Sequence, residues 1–326
     1  MVHGEPSARP GLVVLAGPTA SGKSDLALRL AERTGGVVIN ADALQLYRDL
    51  SILTARPGPS AMARAPHRLY GVLAGDEPGS AGVWLERMRT VLREAAESGR
   101  TPIVAGGTGF YIEALLQGLA PVPDIPADIR GEVRALGRAE GASAVRQALA
   151  VHDPVMAGTL PPTDAQRLMR ALEVVRATGR TLAWWQAQPR LRLDLPAPVR
   201  AITLMPPRAI LHARIASRFD AMLADGALEE VRALTALGLP EDAPVMKAVG
   251  VPELRAVLKG AIGWDQARER AVIASRRYAK RQVTWLRHRS AGFARIEAFG
   301  EEVAAGEALA GHPATEAESR LSPNPR

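Results

Sequence analysis

Apolar and polar positions along the chain fall into two kinds of run. Leu12–Ala16 (LVVLA), 37–39, 102–105 and 201–204 are short, unbroken and apolar, without alternation. That pattern predicts strands buried on both faces, as in a parallel sheet. Between them, apolar residues recur three and four apart. Residues 24–33 carry Leu26, Leu28 and Leu30 among alanines and charges, and 83–98 carry Trp84, Leu85, Met88, Val91, Leu92 and Ala95 before Gly99 closes the run. Both predict helices, the second with a glycine C-cap. Strands alternating with helices predict an α/β fold built on a parallel sheet flanked by helices.

From residue 119 the pattern changes. Pro121, Pro123 and Pro126 interrupt it, and 127–140, 142–151, 164–178 and 181–187 read as helices with no strand between them. This predicts a helical insertion. The strand at 201–204 rejoins the sheet, and helices follow near 207–224, 226–237, 250–259 and 265–289. The organisation expected is a core in two parts (1–118 and 200–290), a helical insertion domain over 119–199, and a flexible tail over 291–326, rich in Ala, Glu, Ser and Pro.

Composition narrows the chemistry. With no cysteine in 326 residues, disulfides and zinc–thiolate sites are excluded. The histidines lie far apart, without metal-ligand spacing. No apolar run approaches the roughly 18 residues of a membrane span, and the first ten residues lack the apolar stretch of a signal peptide. A cytoplasmic protein with no membrane partner is expected.

The charge is unevenly placed. Only four of the 41 basic residues are lysines, Lys23, Lys247, Lys259 and Lys280; the arginine excess reads as codon bias. Residues 266–289, however, hold eight Lys or Arg against one acid, Glu269, an excess equal to the net charge of the whole chain, +7. Arg270, Arg277, Arg281, Thr284 and His288 fall on one face of that predicted helix, with Tyr278 and Trp285 interleaved. Ordinary exposed helices mix signs, so this stripe points to a polyanion such as an RNA backbone, with base stacking by the aromatics.

The sharpest motif is Gly17-Pro18-Thr19-Ala20-Ser21-Gly22-Lys23-Ser24, which fits the phosphate-binding loop G-x-x-x-x-G-K-[ST]. Average residue usage makes a chance match in a chain of this length about a one-in-a-hundred event. It also follows a predicted strand and opens a predicted helix. Backbone N–H groups of such a loop converge on phosphate oxygens, Lys23 adds a point charge, and the Ser24 hydroxyl is a candidate Mg²⁺ ligand. The motif itself carries an expectation of nucleotide (ATP) binding. Yet the strand at 102–105 ends in Gly106-Gly107-Thr108, not in the acid that holds magnesium in most nucleoside triphosphate hydrolases. The phosphate thus has room to belong to a diphosphate leaving group.

The strand at 37–39 does lead to an acid, Asp42, at the edge where parallel-sheet ligands bind. Asp42 reads as a general base, a magnesium partner or a helix N-cap. Thr108 is either a ligand-edge residue or a plain turn residue. Gln166, Arg167 and Arg170 line a helix that Asp164 caps, and a solvated face is the first reading there. Residue types alone leave three functions open: transfer of a group from a diphosphate to RNA, a small-molecule or nucleotide kinase, and a nucleotide-sensing RNA binder.

Taken together, GPTASGKS (17–24), INADALQLYRDL (39–50), TARP (54–57), PHRLYG (66–71), GGTGFYIEALLQGL (106–119), DAQRLMRALEV (164–174) and KRQVTWLR (280–287) resemble the bacterial tRNA dimethylallyltransferases, in order and over most of the chain. The resemblance implies a phosphate-loop core with a helical insertion that grips the anticodon stem-loop. It implies transfer of the dimethylallyl group of dimethylallyl diphosphate to the exocyclic amine of the adenosine 3′ of the anticodon, in tRNAs reading codons that begin with U. Mg²⁺ is the cofactor implied, ATP is not consumed, and a monomer is expected.

By position the resemblance makes Asp42 the general base, with Thr19 and Arg218 as further catalytic residues and 17–24 as the diphosphate cradle. It assigns tRNA contacts to Asp42, Ala43, Leu44, Gln45, Thr108, Arg130, Gln166, Arg167, Leu168, Met169, Arg170, Lys247, Lys280, Arg281 and Arg287. Two positions depart from the family pattern: Ala43 stands where serine is usual, and Val251 where tyrosine is usual.

Overall fold

The computed structural model describes residues 11–310. Six strands form one parallel sheet: β1 (Leu12–Ala16), β2 (Val37–Asn40), β3 (His67–Arg68), β4 (Pro102–Gly106), β5 (Val199–Leu204) and β6 (Ala294–Ile296). Their spatial order is β3-β2-β4-β1-β5-β6, every pair parallel. Every residue of β1, β2 and β4 is buried, which is why their sequences are apolar runs and do not alternate. Strand order fixes function: β4 lies between β2 and β1, so the loops leaving all three emerge side by side at the carboxyl edge.

The helices are α1 (Lys23–Thr34), α2 (Pro59–Arg64), α3 (Ala81–Glu97), α4 (Gly109–Gln117), α5 (Ala127–His152), α6 (Pro154–Thr159), α7 (Ala165–Thr178), α8 (Leu182–Gln186), α9 (Arg208–Ala224), α10 (Ala227–Ala236), α11 (Val251–Leu258), α12 (Trp264–Arg289) and α13 (Ala305–Ala310). Leu26, Ala27, Leu30 and Ala31 of α1 join Val13, Leu15, Ile103 and Ile202 of the sheet in one core cluster. None of the described helices is long and apolar enough to cross a membrane.

Contacts divide the chain into two compact units, Leu116–Arg192 and the remainder. The first is all helical: Val133, Val145, Leu149, Leu168 and Leu172 from α5 and α7 form its core. The split predicted between 127–140 and 142–151 is present as a break in α5 at Gly141, whose φ of 79° is not helical. An antiparallel bridge between Leu119 and Leu191 ties the two chain crossings together, which sets the unit's limits slightly earlier than 119–199. Segment 193–199 runs on the sheet side, where the Pro198 carbonyl accepts from Gly11 and Leu12 N–H at 3.1 Å.

The tail expected from residue 291 is corrected over its first part. Ala294–Ile296 adds the edge strand β6 beside β5. Phe299 is buried among Ala20, Leu211, Ile215 and Ala279. Val303 and Ala308 belong to the main core. Apolar residues there are spaced too irregularly for a strand or helix pattern, yet they pack into these clusters. The rest of that expectation, 311–326, lies outside the described residues.

Candidate active site

The phosphate loop connects β1 to α1 as expected. Gly17 and Pro18 are buried, and Ser21 has no exposure. Ala20 and Gly22 take positive φ values of 64° and 79°, the left-handed conformation that turns successive N–H groups toward one point. For Ala20 this costs about 1–2 kcal/mol, so the loop needs external holding. Part of it comes from the segment after β6: Gly300 N–H donates to the Ser21 carbonyl at 2.8 Å. Arg29 of α1 donates to the carbonyls of Val303, at 2.8 Å, and Gly300. Lys23 reaches back to the Pro18 carbonyl at 3.3 Å.

Asp42 follows β2. Buried Asn40 fixes it twice: its Oδ1 accepts from Asp42 N–H at 2.7 Å, and its Nδ2 donates to the Asp42 carbonyl at 2.9 Å. One Asp42 carboxylate oxygen accepts from Leu44 N–H at 3.0 Å, starting the short 3₁₀ turn Leu44–Leu46. This is a local turn bond and not the N-cap read from the sequence, since Ala43 holds that position without a side-chain cap; it does not consume the second oxygen. Thr108, after β4, accepts from Ala43 N–H at 3.0 Å, while its own N–H donates to the Ala41 carbonyl at 3.1 Å. Thr108 thus props the loop that carries the acid.

Asp42, Thr19 and Arg218 of α9 line one open cavity with Ala20, Leu44, Thr54, Ser275 and Tyr278. Its other walls, Leu53, Ile215, Phe219, Met222 and Val249, are apolar. Its lining combines charged and apolar side chains, the composition wanted by a ligand with an anionic head and a short hydrocarbon tail. Electrostatics agree. Removal from water pushes the Lys23 amine down to about 8, against an upward pull from Asp42 and with a further downward push from Arg218. Burial likewise lowers Arg218, with Asp42 opposing. The hydroxyls of Tyr70 and Tyr278 are raised, first by burial and then by Asp42, so both stay protonated hydrogen-bond donors.

The remaining predicted contact residues separate by environment. Gln45 Nε2 donates to the Thr54 and Ala55 carbonyls at 2.8 and 3.1 Å, holding the cavity wall. Lys280, Arg281 and Arg287 are exposed on α12, and Lys247 is exposed at the end of the turn Pro244–Lys247. In the helical unit, Gln166 and Arg167 are exposed, Met169 is half-buried, Arg170 lies 3.8 Å from Glu173, and Arg130 donates to the Ile125 carbonyl at 3.2 Å. Leu168 has no exposure and packs in that unit's core, so its side chain supports α7 and makes no surface contact. Val251 is also fully buried, which removes it from ligand contact.

Tyr278 and Trp285 of α12 are partly exposed. Tyr278 lines the cavity. The Trp285 ring lies so close to Gly109 that a Cβ there would sit 2.1 Å from it. There α12 packs tightly on the loops after β1 and β4. Sequence reasoning missed Gln282, buried between these loops. Its signal was available: a polar residue on the same helical stripe as buried Ala271, Ala279 and Leu286.

Comparison with known proteins gives one consistent result. Residues 45–289 match the family model described as IPP transferase, and 10–75 match that described as isopentenyl transferase. The chain is similar to the tRNA dimethylallyltransferase of Nitrobacter hamburgensis, 53% identical over 276 residues, or 85% of this chain and 87% of the relative. The enzyme of that name from Methylocella silvestris is 50% identical over 281 residues, covering 86% and 93%. Among solved structures, the tRNA isopentenylpyrophosphate transferase of Bacillus halodurans superposes with a TM-score of 0.63 at 32% identity, over 88% of this chain and 89% of that one.

Proposed function

We propose, from the premise that this chain belongs to the tRNA dimethylallyltransferase family, that the cavity at the carboxyl edge of the sheet is where it prenylates tRNA. The protein is a transferase. Its donor is dimethylallyl diphosphate and its acceptor the exocyclic amine of the adenosine 3′ of the anticodon, in tRNAs reading codons that begin with U. It works in the cytoplasm as a monomer. The observation that carries this reading is one cavity lined by the Asp42 carboxylate, the Arg218 guanidinium, Thr19 and Ala20 of the phosphate loop, and an apolar wall.

The diphosphate sits against the phosphate loop, where the N–H groups of Gly22, Lys23 and Ser24 open α1, and against the side chains of Lys23 and Arg218. The five-carbon tail lies along Leu53, Phe219 and Met222. An amine on an aromatic ring is a weak nucleophile, so the free oxygen of Asp42 takes its proton as the nitrogen attacks the first prenyl carbon. The carbon–oxygen bond to diphosphate breaks in the same direction. Lys23, Arg218 and the loop donors meet the charge that develops there.

Magnesium fits only as an ion carried by the substrate. Among the described residues no three His, Cys, Asp or Glu side chains gather to cage a metal, while the exposed Ser24 hydroxyl stands at the first turn of α1. Bound there with diphosphate oxygens, the ion would neutralise leaving-group charge. RNA contacts come from the basic face of α12 and, in the helical unit, from Arg130, Gln166, Arg167 and Arg170. The test is incubation with Mg²⁺, labelled dimethylallyl diphosphate and tRNA lacking the modification, without ATP. Label recovered as prenylated adenosine next to the anticodon is the expected result; no transfer by folded protein that binds tRNA overturns the reading.

A further inference from the structure

Gln282 joins the two loops that flank the cavity. Its Oε1 accepts from Thr19 N–H at 2.8 Å, and its Nε2 donates to the Gly107 carbonyl at 3.0 Å. Only 5% of the residue is exposed. The fit is close: a Cβ on Gly107 would lie 2.1 Å from Gln282 Nε2. A single amide thus spans from the phosphate loop after β1 to the glycine turn after β4, and the helix that presents it carries exposed Lys280 and Arg281 just before it in sequence.

The bond falls where the loop most needs it. Thr19 directly precedes Ala20, the non-glycine residue held at a φ of 64°. Such a conformation persists only when its surroundings over-determine it. Fixing Thr19 N–H orients the residue that leads into Ala20, and hence where the following N–H groups point. We infer that Gln282 is a positioning residue: it holds the phosphate loop in its anion-binding form and locks α12 to that form. It touches no reacting atom itself. The kinetic side of the inference rests on the prenyl-transfer reading above; its binding side, read with inorganic pyrophosphate, does not.

The variant to make is Gln282→Met, which keeps the length and volume of the side chain and removes both hydrogen bonds. Inorganic pyrophosphate binding to the whole protein is measured by calorimetry, with thermal unfolding and tRNA affinity alongside. Loss of a buried bond that shapes the loop predicts pyrophosphate weakened by about tenfold. A matching rise in donor KM should exceed any fall in kcat, with tRNA affinity close to wild type. A purely structural role would lower the unfolding temperature and leave pyrophosphate affinity and donor KM of the folded protein unchanged; that outcome overturns the inference. Gly107→Ala reaches the same amide from the other side and serves if Gln282→Met does not fold. It should weaken pyrophosphate to a similar degree, and the double variant should lose no more than either single one. Unchanged affinity in Gly107→Ala, or additive losses in the pair, refutes it.

Discussion

Asp42 serves two ends at once, because one oxygen holds the turn through Leu44 while the residue lines the cavity. Asp42→Asn separates them: an amide oxygen still accepts from Leu44 N–H but takes no proton. Turnover should fall by about 10²–10⁴, the usual worth of a positioned base, while tRNA affinity measured by filter binding stays near wild type. Lys23 gives a second test. Its amine is cationic below about pH 8 and neutral above, and diphosphate favours the cation. Donor affinity should therefore hold at lower pH and decline as pH rises through about 8. Asp42 is the charge that pulls that value upward, so in Asp42→Asn the decline should begin at lower pH. A pH series of pyrophosphate titrations on both proteins reads both effects.

Elements differ in how plainly the sequence announces them. β1, β2, β4 and β5 are legible because a strand buried on both faces must be an apolar run. β3 spans two residues, and β6 is three residues long with Arg295 exposed; neither carries a pattern, since edge strands have only one neighbour to satisfy. α4 starts inside a glycine turn, which reads as a break. Motif chemistry locates the phosphate loop, Asp42 and Thr108, yet no motif says which way a side chain turns. Periodicity alone therefore passes over Gln282 and does not show that Tyr278 lines the cavity. The exposed face of α12 is legible from charge alone. Replacing Lys280 and Arg287 by Gln should weaken tRNA binding and reduce the slope of log affinity against log salt by about one for each phosphate no longer neutralised. A slope equal to wild type would take those two residues out of the interface. Gly109→Val tests the packing beneath, because its side chain would collide with the Trp285 ring; overpacking of this kind costs about 1–3 kcal/mol, measurable by urea unfolding.

At the scale of the whole molecule, each unit has its own core. Leu168→Ala opens a cavity in the helical unit and should destabilise it by about 2–5 kcal/mol, seen as faster amide exchange across 127–178. The other unit depends on sequence-distant closure. Arg29 and Gly300 are hydrogen-bonded across 271 residues, Thr19 and Gln282 across 263, and β1 is paired on both sides by strands that come much later. During synthesis the phosphate loop leaves the ribosome well ahead of residues that give it shape: Gln282 follows only after 263 more positions. At roughly 5–20 residues per second that is a wait of tens of seconds. The nascent chain therefore carries the motif long before it carries the site, and an unfinished copy has no formed pocket with which to occupy donor or tRNA.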